Sequence, residues 1–142
     1  MKKFILFAAL LAITSVITTV TAQSQWRGPN RDGIYPETNL LKQWPDEGPK
    51  MLWSFEGLGT GQGSVAVADE KVYVTGIPDT LNSEGYLFAF DTKGTLLWKK
   101  NYGKDWTGIF PGARSTPTIA GDLIYVESGN GAVFCMKAET GE

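Results

Sequence analysis

Few side chains in this 142-residue chain could take part directly in chemistry. The chain has no histidine, which excludes serine–histidine and cysteine–histidine nucleophile pairs, histidine-bearing zinc sites and c-type haem attachment within these residues. The single cysteine, Cys135, cannot form an internal disulfide. The net charge is −2 and the lysines and arginines are scattered, so no nucleic-acid partner is expected. From these residue types we predict no catalytic residue and no metal ligand.

Four glycines at alternate positions could suggest a nucleotide-binding loop: Gly57, Gly59, Gly61 and Gly63. Their spacing is not that of GxGxxG, and the residues that follow favour a strand over a helix. No helix dipole would therefore face a phosphate group. We interpret the stretch as a flexible turn into the innermost strand of a sheet.

The strands that should position Cys135 and the glycines belong to a sequence repeat. Residues 64–74 align with residues 116–126, and the strands that follow align likewise, so that Cys135 takes the place of Ala89. Cys135 is therefore predicted to be a small buried strand residue, not a reactive thiol. Each copy reads as four antiparallel strands in roughly 45 residues, the size of one β-propeller blade.

The best-defined part of the repeat is a hairpin around Asp91-Thr92-Lys93-Gly94. Asp at the first and Gly at the fourth position are typical of a type I turn, in which the Asp side chain accepts from nearby backbone N–H groups. The β-branched and aromatic residues on either side predict strands near residues 86–91 and 95–101. In the second copy Lys137 replaces the aspartate, so we expect a less well capped turn there.

The segment Ala89-Phe90-Asp91-x-x-Gly94, followed by Trp98, is similar to the docking motif of PQQ-like (quinoprotein-type) β-propeller repeats. The resemblance covers about residues 26–142, and Thr140-Gly141 keeps the end of the motif in the second copy. It implies an all-β fold, a propeller of four-stranded antiparallel blades. In that family the small residue, the aspartate, the glycine and the tryptophan lock neighbouring blades together.

The resemblance implies an incomplete ring. Residues 50–56 place Trp53 in the register of Trp98 without preceding partner strands, and we interpret them as a ring-closing strand. One full blade follows at about residues 63–101, and a truncated blade with three strands at about residues 115–142. Closed propellers have typically about four to eight blades. The chain is therefore expected to be an N-terminal fragment, and not to behave alone as a stable monomer.

Residues 1–22 are typical of a cleavable signal peptide. Two lysines precede an apolar run, and Val20-Thr21-Ala22 offers small residues for cleavage before Gln23. A membrane anchor is the alternative, but the run is short for a hydrocarbon core of about 30 Å. We expect a periplasmic or secreted protein with no stable membrane anchor after cleavage.

Residues 23–49 form a leader rich in Pro and Gly, ahead of the partial propeller at residues 50–142. Its aromatic and aliphatic residues are too apolar for a free linker, so we expect the leader to pack on the propeller. Its opening, WRGPNRDG, is similar to the segment before the first blade in exported PQQ-like propeller proteins. Arg27, Arg31 and Asp32 could form a binding cluster, but a local ion pair that fixes the loop is our preferred interpretation.

Trp106 and Arg114 are the best ligand-facing candidates, because in a propeller their stretch lies on the rim of the axial mouth; Phe110 lies between them. Ordinary rim packing is the alternative. The favoured function is an exported, non-catalytic scaffold or binding module for a protein or glycan partner, with no evident cofactor. The alternative is the N-terminal part of a dehydrogenase that uses pyrroloquinoline quinone, so enzymatic activity stays undecided, with the non-catalytic interpretation preferred.

Overall fold

The computed structural model describes residues 26–142, and all the regular structure in that range is β-strand. The signal peptide predicted at residues 1–22 lies outside the described residues. The strands form two separate antiparallel sheets, one for each copy of the repeat. The predicted all-β fold of propeller blades is thus confirmed, as an incomplete ring.

The first sheet has four strands that neighbour one another in chain order. They are β1 (Ala66–Ala68), β2 (Lys71–Gly76), β3 (Glu84–Asp91) and β4 (Leu96–Lys104). The turn between β1 and β2 contains Asp69 and Glu70, both with positive φ, at 48° and 58°. Two such residues define a type I′ turn, whose twist matches that of the flanking strands.

The predicted hairpin around Asp91 is present, although its strands are longer than expected. The backbone N–H of Gly94 donates to the carbonyl of Asp91 at 3.1 Å, and Gly94 has a φ of 89°. The Asp91 carboxylate accepts from the backbone N–H groups of Lys93 and Thr95, at 2.9 and 2.8 Å. These bonds cap the turn in the manner predicted for an aspartate at its first position.

The second sheet has three strands, β5 (Thr118–Ala120), β6 (Leu123–Glu127) and β7 (Val133–Lys137). The turn after β7 differs from its counterpart, because the N–H of Gly141 donates to the carbonyl of Lys137, four residues back, at 2.8 Å. Lys137 cannot accept backbone N–H groups as an aspartate does. Its ammonium instead pairs with Glu142 at 3.2 Å, and a less well capped turn stays a prediction.

The core lies mainly between the two blades. One cluster joins the first sheet to the second and includes Tyr73, Leu87, Ile124 and Val126. The Tyr73 hydroxyl crosses this interface and donates to the carbonyl of Ala138 at 3.1 Å. A buried hydroxyl needs such a partner, because an unmade hydrogen bond costs about 1–3 kcal/mol. The relative position of the two blades therefore depends on this hydrogen bond as well as on the burial of apolar side chains.

A second cluster covers the other face of the first sheet. Phe88 and Phe90 are almost fully buried there against Trp53 and Phe55. Residues 50–56, predicted as a ring-closing strand, form no strand in the structure. Trp53 nevertheless lies on Gly94 as Trp98 lies on Gly141, so the predicted register of the two tryptophans is present.

Cys135 corrects one prediction, because it is exposed although the matching Ala89 is fully buried. The second blade covers the face of the first sheet that contains Ala89. The corresponding face of the second sheet is not covered by any part of the chain in the 26–142 range, and Tyr125 and Val133 on that face are 38% and 68% exposed. The equivalence in sequence therefore holds, but the burial does not follow from it.

The leader also differs from expectation over residues 26–49. Its large apolar side chains remain exposed, and six of them retain between 37% and 72% of their accessible surface. These are Trp26, Ile34, Tyr35, Leu40, Leu41 and Trp44. The structure does not show the packing on the propeller that was expected for these side chains.

Candidate binding site at the start of the innermost strands

The residues before β1 and those before β5 lie side by side. Gly61 forms a parallel bridge with Ala113, and the N–H of Gln62 donates to the carbonyl of Ala113 at 2.7 Å. The N–H of Ser64 donates to the Thr116 hydroxyl at 3.1 Å. The equivalent stretches of the two copies thus meet at one edge, as predicted for the rim of a propeller.

Glycine is required in residues 57–63, which we call the glycine segment, because backbone from both blades passes very close to it. A Cβ atom on Gly59 would overlap the carbonyl group of Ile77. A Cβ atom on Gly63 would lie 2.5 Å from the carbonyl oxygen of Ser115. The segment leads into β1, in agreement with its interpretation as a turn into the innermost strand.

Asp105 anchors the loop that connects the two blades. It is 3% exposed, and its carboxylate accepts from the Tyr102 hydroxyl and, at 2.6 Å each, from the backbone N–H groups of Trp106 and Gly129. Burial raises the pKa of the Tyr102 hydroxyl well above its ordinary value, and the hydrogen bond to Asp105 and its negative charge raise it further. Tyr102 therefore stays a neutral donor, and Asp105 fixes the loop to both blades.

Trp106 and Arg114, the two ligand-facing candidates, are brought together by the same loop. The guanidinium carbon of Arg114 lies 5.8 Å from the centre of the Trp106 ring. Trp106 Nε1 and Arg114 Nη2 both donate to the carbonyl of Ile109, at 2.9 and 3.1 Å, and Arg114 Nη2 also donates to the carbonyl of Phe110 at 2.8 Å. These bonds stabilise the loop, as the rim-packing alternative expects; a ligand-binding role stays a prediction.

Two open grooves flank Arg114. The first, of about 370 Å³, is lined by Trp26, Gln62, Gly63, Ser64, Arg114, Ser115 and Thr116. The second, of about 350 Å³, is lined by Arg114, Ser115, Glu127, Ser128, Gly129 and Gly131. The buried hydroxyl oxygen of Ser115 has no hydrogen-bond partner among the described residues. Arg114 uses one nitrogen for the loop carbonyls, which leaves other N–H donors of its fork for the grooves.

The first turn of the leader borders these grooves, which the sequence did not indicate. Trp26 lines the first groove, and together with Arg27, Arg31 and Thr118 it lines a third groove of about 300 Å³. The Arg27 guanidinium lies 5.6 Å from the centre of the Trp26 ring. The Asp32 carboxylate accepts from the backbone N–H of Ile34 at 2.9 Å. The ion pair predicted between these arginines and Asp32 stays a prediction.

Within residues 26–142, no group of three or more His, Cys, Asp or Glu side chains could hold a metal ion. No helix that is long and apolar enough to cross a membrane occurs in that range.

Comparison with known families supports the repeat. Residues 83–142 match the family model described as outer membrane protein assembly factor BamB. The matched stretch contains β3, β4 and the whole second sheet. A comparison with curated proteins found no match.

Proposed function

We propose that this chain, in which residues 83–142 carry PQQ-like β-propeller repeats, belongs to an exported binding module that acts as a non-catalytic scaffold for a protein or glycan partner. The family description supports a role of this kind, because it names an assembly factor. The hydrogen bonds of the candidate site also favour it. The side chains of Trp106, Arg114 and Asp105 form hydrogen bonds with backbone groups, and these bonds fix the conformation of the loop between the blades.

Export is a separate part of the proposal. It is supported by the residue pattern at the N-terminus and by the outer membrane named in the family description. The test is mass spectrometry of the protein recovered from the cell envelope or the medium. An N-terminus at or near Gln23 is expected, and an intact Met1 would contradict cleavage.

One observation carries the binding role. Ile109 and Phe110, at the tip of the loop anchored by Asp105, are 78% and 75% exposed. Two neighbouring large apolar side chains held outward on a fixed loop are typical of contact residues in an interface. Phe110 also has a positive φ of 55°, an uncommon conformation that is imposed by its surroundings.

The experiment places a photo-crosslinking amino acid at position 110 of the full chain in living cells. A matched control places it at position 93, on the exposed turn after β3. A discrete crosslinked product is expected from position 110 and not from position 93. It should disappear when Ile109 is changed to Ser. Equal patterns at both positions, or no product at position 110, would contradict a partner at this loop.

The dehydrogenase alternative is tested in a second arm. The related enzymes hold their quinone with an adjacent pair of cysteines and with calcium carboxylates, whereas this sequence contains one cysteine. Because residues from many blades form that site in the related enzymes, residues 1–142 do not fit it on their own, and no catalytic step is derived through it. Titration of the complete protein with pyrroloquinoline quinone and Ca²⁺, followed by dye reduction with an alcohol, should give no turnover. Turnover would favour the alternative and contradict the scaffold proposal.

A further inference from the structure

All three arginines of the chain border one pair of adjoining grooves. Arg114 lines the first groove, Arg27 and Arg31 line the third, and Trp26 lies between them and belongs to both. The chain has ten lysines besides, and none of those within residues 26–142 lines either groove. The arginines come from two distant parts of the sequence, so the fold brings them together.

Among the described residues, no acidic side chain lines the two grooves. Arginine presents a planar fork of donors that matches a carboxylate in two parallel hydrogen bonds and remains charged at every ordinary pH. The pair of grooves is therefore suited to a ligand with several negative charges along its length.

The other lining groups are hydroxyls and one aromatic ring. Gln62, Ser64, Ser115 and Thr116 line the first groove and Thr118 lines the third. The Ser115 hydroxyl is buried and has no hydrogen-bond partner in the part of the chain that the structure describes. The Trp26 ring is 61% exposed. An exposed indole offers a flat apolar surface to the C–H face of a sugar ring, while hydroxyl and amide groups pair with sugar hydroxyls. A peptide would instead need apolar pockets for its side chains or a free strand edge.

We propose that the two grooves joined at Trp26 form a binding site for an acidic oligosaccharide, a chain of sugar rings that bear carboxylates. One ring stacks on Trp26, and its neighbours direct their carboxylates to Arg114 on one side and to Arg27 on the other. The inference rests on the proposed binding function and names its ligand class.

The turn that holds the two leader arginines is built rigidly enough for this role. Arg27 and Arg31 both adopt positive φ, at 65° and 61°. The N–H of Gly33 donates to the carbonyl of Arg27 at 3.0 Å, and the N–H of Arg31 donates to the carbonyl of Gly28 at 3.1 Å. Positive φ is unusual for a non-glycine residue, and two such residues in one turn fix the directions in which the arginine side chains leave the backbone.

The test is calorimetric titration of the full chain, purified after export, with a hexamer of galacturonic acid. Binding that weakens with added salt is expected. Arg114→Gln and Trp26→Ala should each weaken binding at least about tenfold. The first variant loses a charge-assisted hydrogen bond to the ligand, and the second loses the ring on which a sugar stacks. Lys93→Gln removes the same charge from a remote exposed turn and should leave the affinity within about twofold.

Two further probes separate this ligand from its competitors. The methyl ester of the same hexamer lacks the charges, and hexaglutamate carries charges without sugar rings. Weak or no binding of both is expected, whereas binding of either one as tightly as the acid hexamer would overturn the proposal. The proposal would also be overturned if the acid hexamer did not bind to wild-type protein whose circular dichroism spectrum shows that it is folded. Equal affinity of the wild type and of the Arg114 and Trp26 variants would overturn it as well. Crosslinking at position 110 is independent of these titrations. The proposed binding function and the proposed ligand class can therefore be contradicted separately.

Discussion

The indole ring of Trp98 lies so close to Gly141 of the second blade that a Cβ atom on this glycine would come within 2.9 Å of it. Trp53 makes the same contact with Gly94 one blade earlier, where the corresponding distance is 2.7 Å. Trp53 Nε1 also donates to the carbonyl of Thr92 at 3.1 Å, whereas Trp98 Nε1 is buried without a partner among the described residues. The two tryptophan–glycine contacts thus share the same packing, but only the indole N–H of Trp53 has a hydrogen-bond partner among the described residues.

Gly94→Ala tests the first docking contact. Because Gly94 and Gly131 have similar φ values, 89° and 85°, an alanine meets the same backbone strain at both positions. A Cβ atom at Gly131 meets nothing within 4 Å, so Gly131→Ala is the matched control. We expect Gly94→Ala to lower the free energy of unfolding by about 1–3 kcal/mol more than the control does, the usual cost of overpacking. Urea titration measures the difference, and equal losses would contradict the docking role of Trp53.

Trp98→Ala tests the second contact. Trp98 is half buried and packs against the cluster between the blades, with its ring 6.0 Å from that of Tyr73. In the complete protein the free energy of unfolding should fall by about 3 kcal/mol, at the low end of the range for truncating a buried aromatic residue. Lys93→Ala, on an exposed turn, should stay within about 0.5 kcal/mol of the wild type in the same denaturant series. Similar losses for both variants would mean that Trp98 does not dock the blades.

Asp91→Asn tests the turn cap by its pH dependence. The backbone N–H of Thr95, and with it that of Lys93, lowers the pKa of the Asp91 carboxyl below its ordinary value. A carboxyl with a lowered pKa in the folded state stabilises the protein above the unfolded-state pKa, near 3.9 for aspartate, and this contribution is lost as the pH falls through the folded-state pKa. Unfolding followed from pH 6 to pH 2.5 should therefore show a shallower loss of stability in Asp91→Asn than in the wild type. Parallel curves would contradict the cap.

Tyr102→Phe tests the anchor at Asp105 at alkaline pH. Because the pKa of Tyr102 is raised in the folded state, its contribution to stability is present below the unfolded-state pKa, near 10 for tyrosine, and is lost as the pH rises above it. Burial also raises the pKa of Tyr73, so Tyr102→Phe should remove only part of the alkaline destabilisation. Urea titrations between pH 8 and pH 11 measure this slope. The same slope for both proteins would show that Tyr102 ionises as freely in the folded state as in the unfolded one.

The strand pairing could be predicted from the sequence because the two copies repeat their turn residues along with their apolar residues. Asp91 and Gly94, for example, predicted the turn that joins β3 to β4. These are local properties, since a turn depends on the backbone preferences of a few neighbouring residues. The docking of Trp98 on Gly141 was accessible only through the family resemblance, because the contact joins two different blades.

Other features could not be predicted from the sequence, because they depend on tertiary contacts between residues that are far apart in the chain. Cys135 and Ala89 are equivalent in sequence, but their burial is set by whether another sheet lies on their face. Trp106 and Arg114 were identified as neighbours on one rim, yet the sequence could not show that they donate to carbonyls of their own loop. The approach of Trp26 to the Arg114 groove was missed for the same reason, because the path of the leader follows no periodic pattern.

The glycine segment has a consequence for the order of folding. The Asp91 turn closes a loop of a few residues, whereas the bridge between Gly61 and Ala113 closes one of about fifty, at an extra entropic cost of about 2 kcal/mol. Both hairpins can therefore form before the glycine segment is in place between them. Contacts that form after the rate-limiting step slow unfolding and leave the folding rate almost unchanged. If the glycine segment docks after that step, a side chain at Gly63, which would clash with Ser115, should speed the separation of the two blades and leave their rate of docking almost unchanged.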